Sequence, residues 1–122
     1  MTCPVCNVEE LDIVLKNDLT HVRMDKYPVS KGHMLIIPNR HFSNYFDATE
    51  EERTALWQLV DEAKHLLRQD FSPDGYNMGI NVGKAAGQTV AYCHIHLIPR
   101  YEKDMKDPEG GVRGVIPGKQ KY

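Results

Sequence analysis

Apolar residues recur along the chain in short blocks, and their spacing changes from block to block. DIVLKN (12–17) and THVRMD (20–25) read as short strands, and the turn-prone Asn17 and Asp18 between them predict a β-hairpin. YPVSKG (27–32) carries Pro and Gly and reads as a loop. It leads into HMLIIP (33–38), an apolar run of strand length closed by Pro38 and expected to be central and buried. The period then lengthens. Thr49 followed by Glu52 is a capping-box signature, and Leu56, Leu59, Val60, Ala63, Leu66 and Leu67 fall on one helical stripe. That helix should cover one face of a sheet until SPDG (72–75) turns the chain back. YNMGINV (76–82) and TVAYCHIHLIP (89–99) predict two more strands, antiparallel and joined by the loop GKAAGQ (83–88). From Tyr101 the chain is rich in Gly, Pro and charge and reads as an extended tail. Strands, one helix, then strands predict an α+β fold, an antiparallel β-sheet with one main helix packed on one face. A single domain over 1–122 is expected, with a core at 1–100 and a C-terminal tail at 101–122.

Composition narrows the function classes. Apolar residues make up 41% and charged residues 26%, which supports a folded core. A net charge of −2 and a pI near 6.3 argue against binding a nucleic acid polymer through an overall basic field, so an anionic ligand must be held by a local cluster. The start, MTCPVC, shows neither a basic segment nor an apolar signal region, and MLIIP is too short to span a bilayer. A cytoplasmic protein with no membrane partner is expected. In a reducing compartment the C-x-x-C of Cys3 and Cys6 favours metal or redox use, whereas the lone Cys93 suits small buried packing.

The candidate chemistry lies in AYCHIHLIPR (91–100). Side chains alternate along a strand, which puts Tyr92, His94 and His96 on one face and Cys93, Ile95 and Leu97 on the other. The apolar set can meet the helix, leaving the histidines on the open side. Three meanings follow for such an H-x-H. The pair can be ordinary half-buried histidines, two ligands of one metal ion, or a nucleophile with a neighbour that handles the phosphoryl oxygens or the leaving group. Gly83 and Gly87 bracket a loop just before this strand, where glycines let backbone N–H groups turn inward on an anion, and Gln88 and Thr89 add neutral donors. The order of a P-loop is absent. His33 adds a third imidazole at the start of the buried strand.

Taken together, GHMLIIPNRH (32–41), NVGKAAGQT (81–89) and CHIHLIPR (93–100), in this order with the helix after the first block, closely resemble the histidine triad superfamily of nucleotide hydrolases and transferases. The leading CPVC and the terminal GGVRGVIPGKQKY (110–122) resemble a bacterial subgroup described as diadenosine polyphosphate hydrolase-like. The resemblance implies a HIT-like fold and cleavage at the α-phosphate of dinucleoside polyphosphates or related nucleotides through a covalent nucleotidyl-histidine. Non-catalytic or slow nucleotide binding and nucleoside phosphoramidase activity stand as alternatives. It implies His94 as nucleophile, with a backbone carbonyl near position 92 fixing its tautomer, His96 as the third motif histidine and His33 as an accessory one. It implies nucleotide contacts at Asp25, Asn81, Gln88 and Thr89, no catalytic cofactor, and a purine pocket of apolar side chains such as Leu11, Ile13 or Val22.

Tyr92 departs from the motif, which has histidine there. Members with C-x-x-C hold a structural zinc by the two cysteines, the first motif histidine and the histidine after the I-P-x-x block. Here that set is Cys3, Cys6 and His41 with Tyr92 as fourth, and a phenol with an ordinary pKa of about 10 is a poor zinc ligand. Zinc is therefore expected to be weakened or absent. The resemblance also implies a homodimer, and Trp57 could lie at its contact or simply in the core. Arg113, Lys119 and Lys121 of the tail could reach the distal phosphates of a long substrate.

Overall fold

Five strands and one α-helix organise the chain in a computed structural model that describes residues 12–122. Strands β1 (Ile13–Lys16) and β2 (Thr20–Met24) form the expected hairpin. Asn17 makes its turn, its Oδ1 accepting from the N–H groups of Leu19 and Thr20 at 3.2 and 2.9 Å. Strand β3 (Met34–Pro38) is buried along its whole length. After it comes α1 (Glu50–Asp70), capped as its sequence predicts: Thr49 Oγ accepts from Glu52 N, and the Glu52 carboxylate accepts from Thr49 N. Arg40 grips both oxygens of that same carboxylate, at 3.1 and 2.9 Å, and so fixes the helix start against the end of β3. Strands β4 (Gly75–Gly79) and β5 (Ile95–Arg100) complete an antiparallel sheet of order β1-β2-β3-β5-β4. Among the described residues no helix is long and apolar enough to cross a membrane.

The sheet has two unlike faces. Val22, Met34, Ile36, Ile95 and Leu97 meet Leu56, Leu59, Val60, Ala63 and Leu67 of α1 in one dry core. On the other face Leu35, Ile37 and Tyr92 form a small cluster with Val90 beside it. Cys93 is 1% exposed in the interior, and desolvation pushes its thiol up to about 11, which suits packing and not reactivity.

Three expectations are corrected. The histidine strand begins at Ile95 and not at Thr89, because the Cys93 N–H leaves the ladder to donate to the Phe42 carbonyl at 2.7 Å. Its neighbour β4 therefore ends at Gly79 instead of running on to Val82. The tail is not simply extended: residues Gly111–Val115 form a 3-10 turn that contacts β4.

Candidate active site

The open face collects the polar groups that alternation leaves out of the core. The sheet register sets Arg23 beside Leu35, Leu35 beside His96, and His96 beside Gly79, a row running across four strands. His33 stands just before β3, delivered by a turn that requires Gly32. There φ is +87°, and a Cβ would lie 2.7 Å from Leu67 Cδ2. Ser30 Oγ donates to the Pro99 carbonyl at 2.7 Å and holds the loop against β5.

Three imidazoles meet here in a defined proton order. His94 Nδ1 lies 2.7 Å from the Tyr92 carbonyl oxygen, which can only accept, so Nδ1 carries a proton and the neutral ring has its lone pair on Nε2. His33 Nδ1 accepts from the Val29 N–H at 3.2 Å, which puts its own proton on Nε2. That Nε2–H faces His96 Nδ1 at 3.0 Å and Asp25 Oδ2 at 3.4 Å. His96 Nδ1 is thus an acceptor, and its Nε2 is left as the N–H donor. The rings of His94 and His96 stand edge to face with centroids 4.9 Å apart. Burial holds the His96 pKa down to about 4, aided by the neighbouring His94 and His33. Burial also lowers His33, against the opposing pull of Asp25. Neutral His33 and His96 rings are what this proton order requires.

These side chains border a cavity of about 450 Å³. Asp25, His33, Asn81, Gln88, Thr89, His94 and His96, all named from the sequence, line it. Their jobs differ from the expected ones in two places. The Gln88 carboxamide braces loops, donating to the Ser43 and Val90 carbonyls and accepting from Gly83 N, so it is already engaged. The N–H groups of Ala86, Gly87 and Gln88 donate to carbonyls of the same loop, so they are not turned toward an anion. Asp25 Oδ1 accepts from the Tyr27 N–H, which fixes the carboxylate beside His33. Val22 cannot line a purine pocket, being 0% exposed under the helix. Ile13 is half-buried on β1, and Leu11 lies outside the described residues.

Arg23, Lys26 and Tyr27 also line the cavity and escaped sequence reasoning. The signal was there: in THVRMD the positions of His21, Arg23 and Asp25 alternate against Thr20, Val22 and Met24, so they share one face.

Neither metal reading gains from the geometry. Asp25, His33 and His96 bring ligand atoms within 4.8 Å of one another, but a metal ion would have to displace the proton that His33 shares with His96. For the zinc set, Cys3 and Cys6 lie outside the described residues. His41 gives Nε2 to the Ala91 carbonyl at 2.9 Å and its ring lies 4.5 Å from that of Tyr92. The Tyr92 hydroxyl lies 2.7 Å from the Pro38 carbonyl and 3.0 Å from that of Asn39, so it acts as a protonated donor to backbone and not as a phenolate ligand. The described residues do not complete a four-ligand zinc site.

Comparison with known proteins fits this geometry. The model of the HIT domain family matches residues 7–103. A HIT-like protein of Saccharolobus solfataricus is 34% identical, the match covering 86% of this chain and 81% of that protein. A bis(5'-adenosyl)-triphosphatase of Dictyostelium discoideum is also 34% identical, over 82% of this chain and 67% of the relative. The crystal structure of a HIT family protein from Bacillus subtilis superposes with a TM-score of 0.76 at 31% identity, covering 85% of this chain and 77% of the other.

Proposed function

The chain belongs to the HIT domain family, and from that premise we propose that it cleaves nucleotides at the α-phosphorus through a nucleotidyl-histidine on His94. The substrates are dinucleoside polyphosphates or related nucleotides such as phosphoramidates. One observation carries the reading: the 2.7 Å bond from His94 Nδ1–H to the Tyr92 carbonyl, which in the neutral ring leaves the lone pair on Nε2 of a side chain that lines the cavity. In the first step the Nε2 lone pair forms the N–P bond and the bond from phosphorus to the leaving group breaks, its electron pair going with that group. In the second step a water oxygen attacks phosphorus, the P–N pair returns to His94, and the water proton is released. His96 Nε2–H supports the phosphoryl oxygens, a fixed dipole aimed where charge builds up. His33 positions His96 through the 3.0 Å bond. Asp25, Asn81 and Thr89, with Arg23 and Lys26, hold the nucleotide in the cavity they line. Gln88 acts through the loop it braces. No step uses a metal. The same reading takes the protein as a homodimer, with β4, last in the sheet order, as the candidate seam; sedimentation velocity checks it.

The test follows AMP release from diadenosine tetraphosphate and from adenosine phosphoramidate by the parent protein and by His94→Ala. Release that disappears in the variant supports the reading, and the ratio of the two rates separates hydrolase from phosphoramidase. Release that persists in His94→Ala overturns it. Binding of both compounds without turnover by the parent overturns it in favour of a nucleotide-binding protein.

A further inference from the structure

Two consecutive peptides lead the chain into His94, and two consecutive residues of the loop after β3 hold them. The first peptide joins Ala91 to Tyr92, and its carbonyl oxygen accepts from His41 Nε2–H at 2.9 Å. The second joins Tyr92 to Cys93. Its N–H donates to the Phe42 carbonyl at 2.7 Å, and its carbonyl oxygen accepts from His94 Nδ1–H at 2.7 Å. A peptide is planar, so its N–H and C=O cannot turn independently. The plane that Phe42 grips is therefore the plane that orients the His94 ring. Tyr92 is the hinge between the two planes, and holding both of them fixes its φ and ψ together. Its side chain is held by the same loop, through the bonds of its hydroxyl to the Pro38 and Asn39 carbonyls.

The loop is tied in turn to the start of the helix. Arg40 bonds both oxygens of Glu52 and the Asp47 carbonyl, and its guanidinium lies 4.3 Å from the Phe42 ring centroid. Glu52 is buried and belongs to the capping box of α1. A run of fixed groups thus leads from the helix N-terminus through residues 40–42 to the His94 ring. His41 stands at the exposed side of this run, where water competes for its hydrogen bond and the bond adds only modestly to the stability of the fold. Its effect is local: it stops the first plane from turning. Where the resemblance gives His41 a metal ion to hold, the structure gives it a peptide.

We propose that His41 is a positioning residue for cleavage at His94: through the Ala91 carbonyl it holds the peptide before Tyr92, so that the Tyr92 carbonyl keeps the proton on His94 Nδ1, and it does so without a metal ion. The proposal rests on the α-phosphorus reading above and adds the group that keeps His94 ready for it. If the first plane turns, the Tyr92 hinge loosens and its carbonyl tilts away from the imidazole. The Nε2–H tautomer then becomes accessible. That tautomer has its lone pair on Nδ1, facing the Tyr92 carbonyl, and offers none on Nε2 to phosphorus.

The full chain is compared with two variants at this exposed position. His41→Phe keeps a ring against Tyr92 and removes the N–H, and His41→Gln carries an amide N–H that can restore the donor. AMP release is followed from diadenosine tetraphosphate and from adenosine phosphoramidate, and the His94 tautomer is read from long-range nitrogen–proton NMR spectra of the imidazoles. His41→Phe should lower kcat by about tenfold or more with KM within about twofold, since a catalytic group misplaced by about 1 Å costs on the order of 100-fold. It should also add an Nε2–H population to a His94 signal that is Nδ1–H in the parent. His41→Gln should recover most of both. Chelation with EDTA, with metal content measured before and after, should leave the parent kcat and tautomer unchanged. An unmoved tautomer in His41→Phe overturns the proposal whether or not kcat falls, and so does a loss that His41→Gln shares in full. A parent that loses kcat on chelation and regains it with zinc also overturns it, because His41 would then act as a ligand. None of these outcomes touches the nucleophile reading, which fails separately, when AMP release persists in His94→Ala or when the parent binds both compounds and turns over neither.

Discussion

Strand β5 presents two different environments one residue apart. Ile95, Leu97 and Pro99 point under α1 and are buried, while His96, Ile98 and Arg100 alternate with them and stay half-buried on the open face. The helix face excludes water and supplies the hydrophobic stabilisation of the fold. The open face keeps polar groups that are ordered by hydrogen bonds to one another and to backbone. A protein that builds its site on one face of a sheet and its core on the other can lose either property without the other. The largest expected effects test that division. Ile95→Asp places a carboxylate at a position with 0% exposure, where nothing pairs it, and should cost above about 4 kcal/mol and leave no stable fold. His94→Ala, one residue away, should keep its thermal midpoint within a few degrees and lose AMP release by on the order of 10³-fold or more. Calorimetry and the release assay on both variants check the pair; a folded Ile95→Asp would break the contrast.

A milder change on the dry face sharpens it. Leu59 is fully buried against the sheet, and Leu59→Ala should destabilise by about 2–5 kcal/mol, read as a lowered urea midpoint. The kcat of the folded fraction at low temperature should stay within about twofold, because the core cluster that holds Leu59 includes none of the residues that line the cavity.

How far each face was legible in the sequence follows from the same contrast. The core could be read because its signals are local: the capping box at Thr49 and Glu52, and the helical stripe from Leu56 to Leu67, each sit within a few residues of their cause. The face of each histidine could be read too, since alternation fixes it. What escaped depends on partners far along the chain. The strand start at Ile95 follows from a bond between Cys93 and Phe42, and the engagement of Gln88 follows from the Ser43 carbonyl, 45 residues away. Both belong to the loop after β3, for which the sequence offers no period. The folding back of the tail was hidden for the same reason, since Gly110 makes its meaning known only once Gln120 lies across it.

The open face should also be the pH-sensitive one. Burial lowers the folded-state pKa of His21, His33 and His96, the last to about 4, below the ordinary histidine value of 6.5. As pH falls through 6.5 the unfolded chain takes up protons that the folded chain refuses, so stability is full above 6.5 and declines between 6.5 and about 4. Glu52 and Asp104, whose pKa values are also lowered, add a decline of the same sign only further into acid. Thermal midpoints measured from pH 8 to 5 therefore isolate the histidines, and His96→Asn should flatten the slope. A midpoint that rises on acidification would contradict the neutral, proton-ordered rings.

Tyr92 is where the division between faces is least clean, and it gives the smallest and most informative effect. It lies on the open side with Leu35 and Ile37, yet it is 5% exposed and its hydroxyl reaches the carbonyls of Pro38 and Asn39 at the end of β3. Its own carbonyl is the one that orients His94. The side chain thus anchors the segment that presents His94, which describes a positioning residue with a structural attachment. Tyr92→Phe keeps the ring and removes the hydroxyl, leaving two carbonyls without that donor, and should cost about 1–2 kcal/mol. If anchoring matters to chemistry, kcat should fall several-fold more than KM changes, since the segment carrying the Tyr92 carbonyl then wanders relative to His94. A loss of stability with kcat unchanged would instead place Tyr92 wholly with the core, and the line between the two faces would run through the backbone of residue 92 itself.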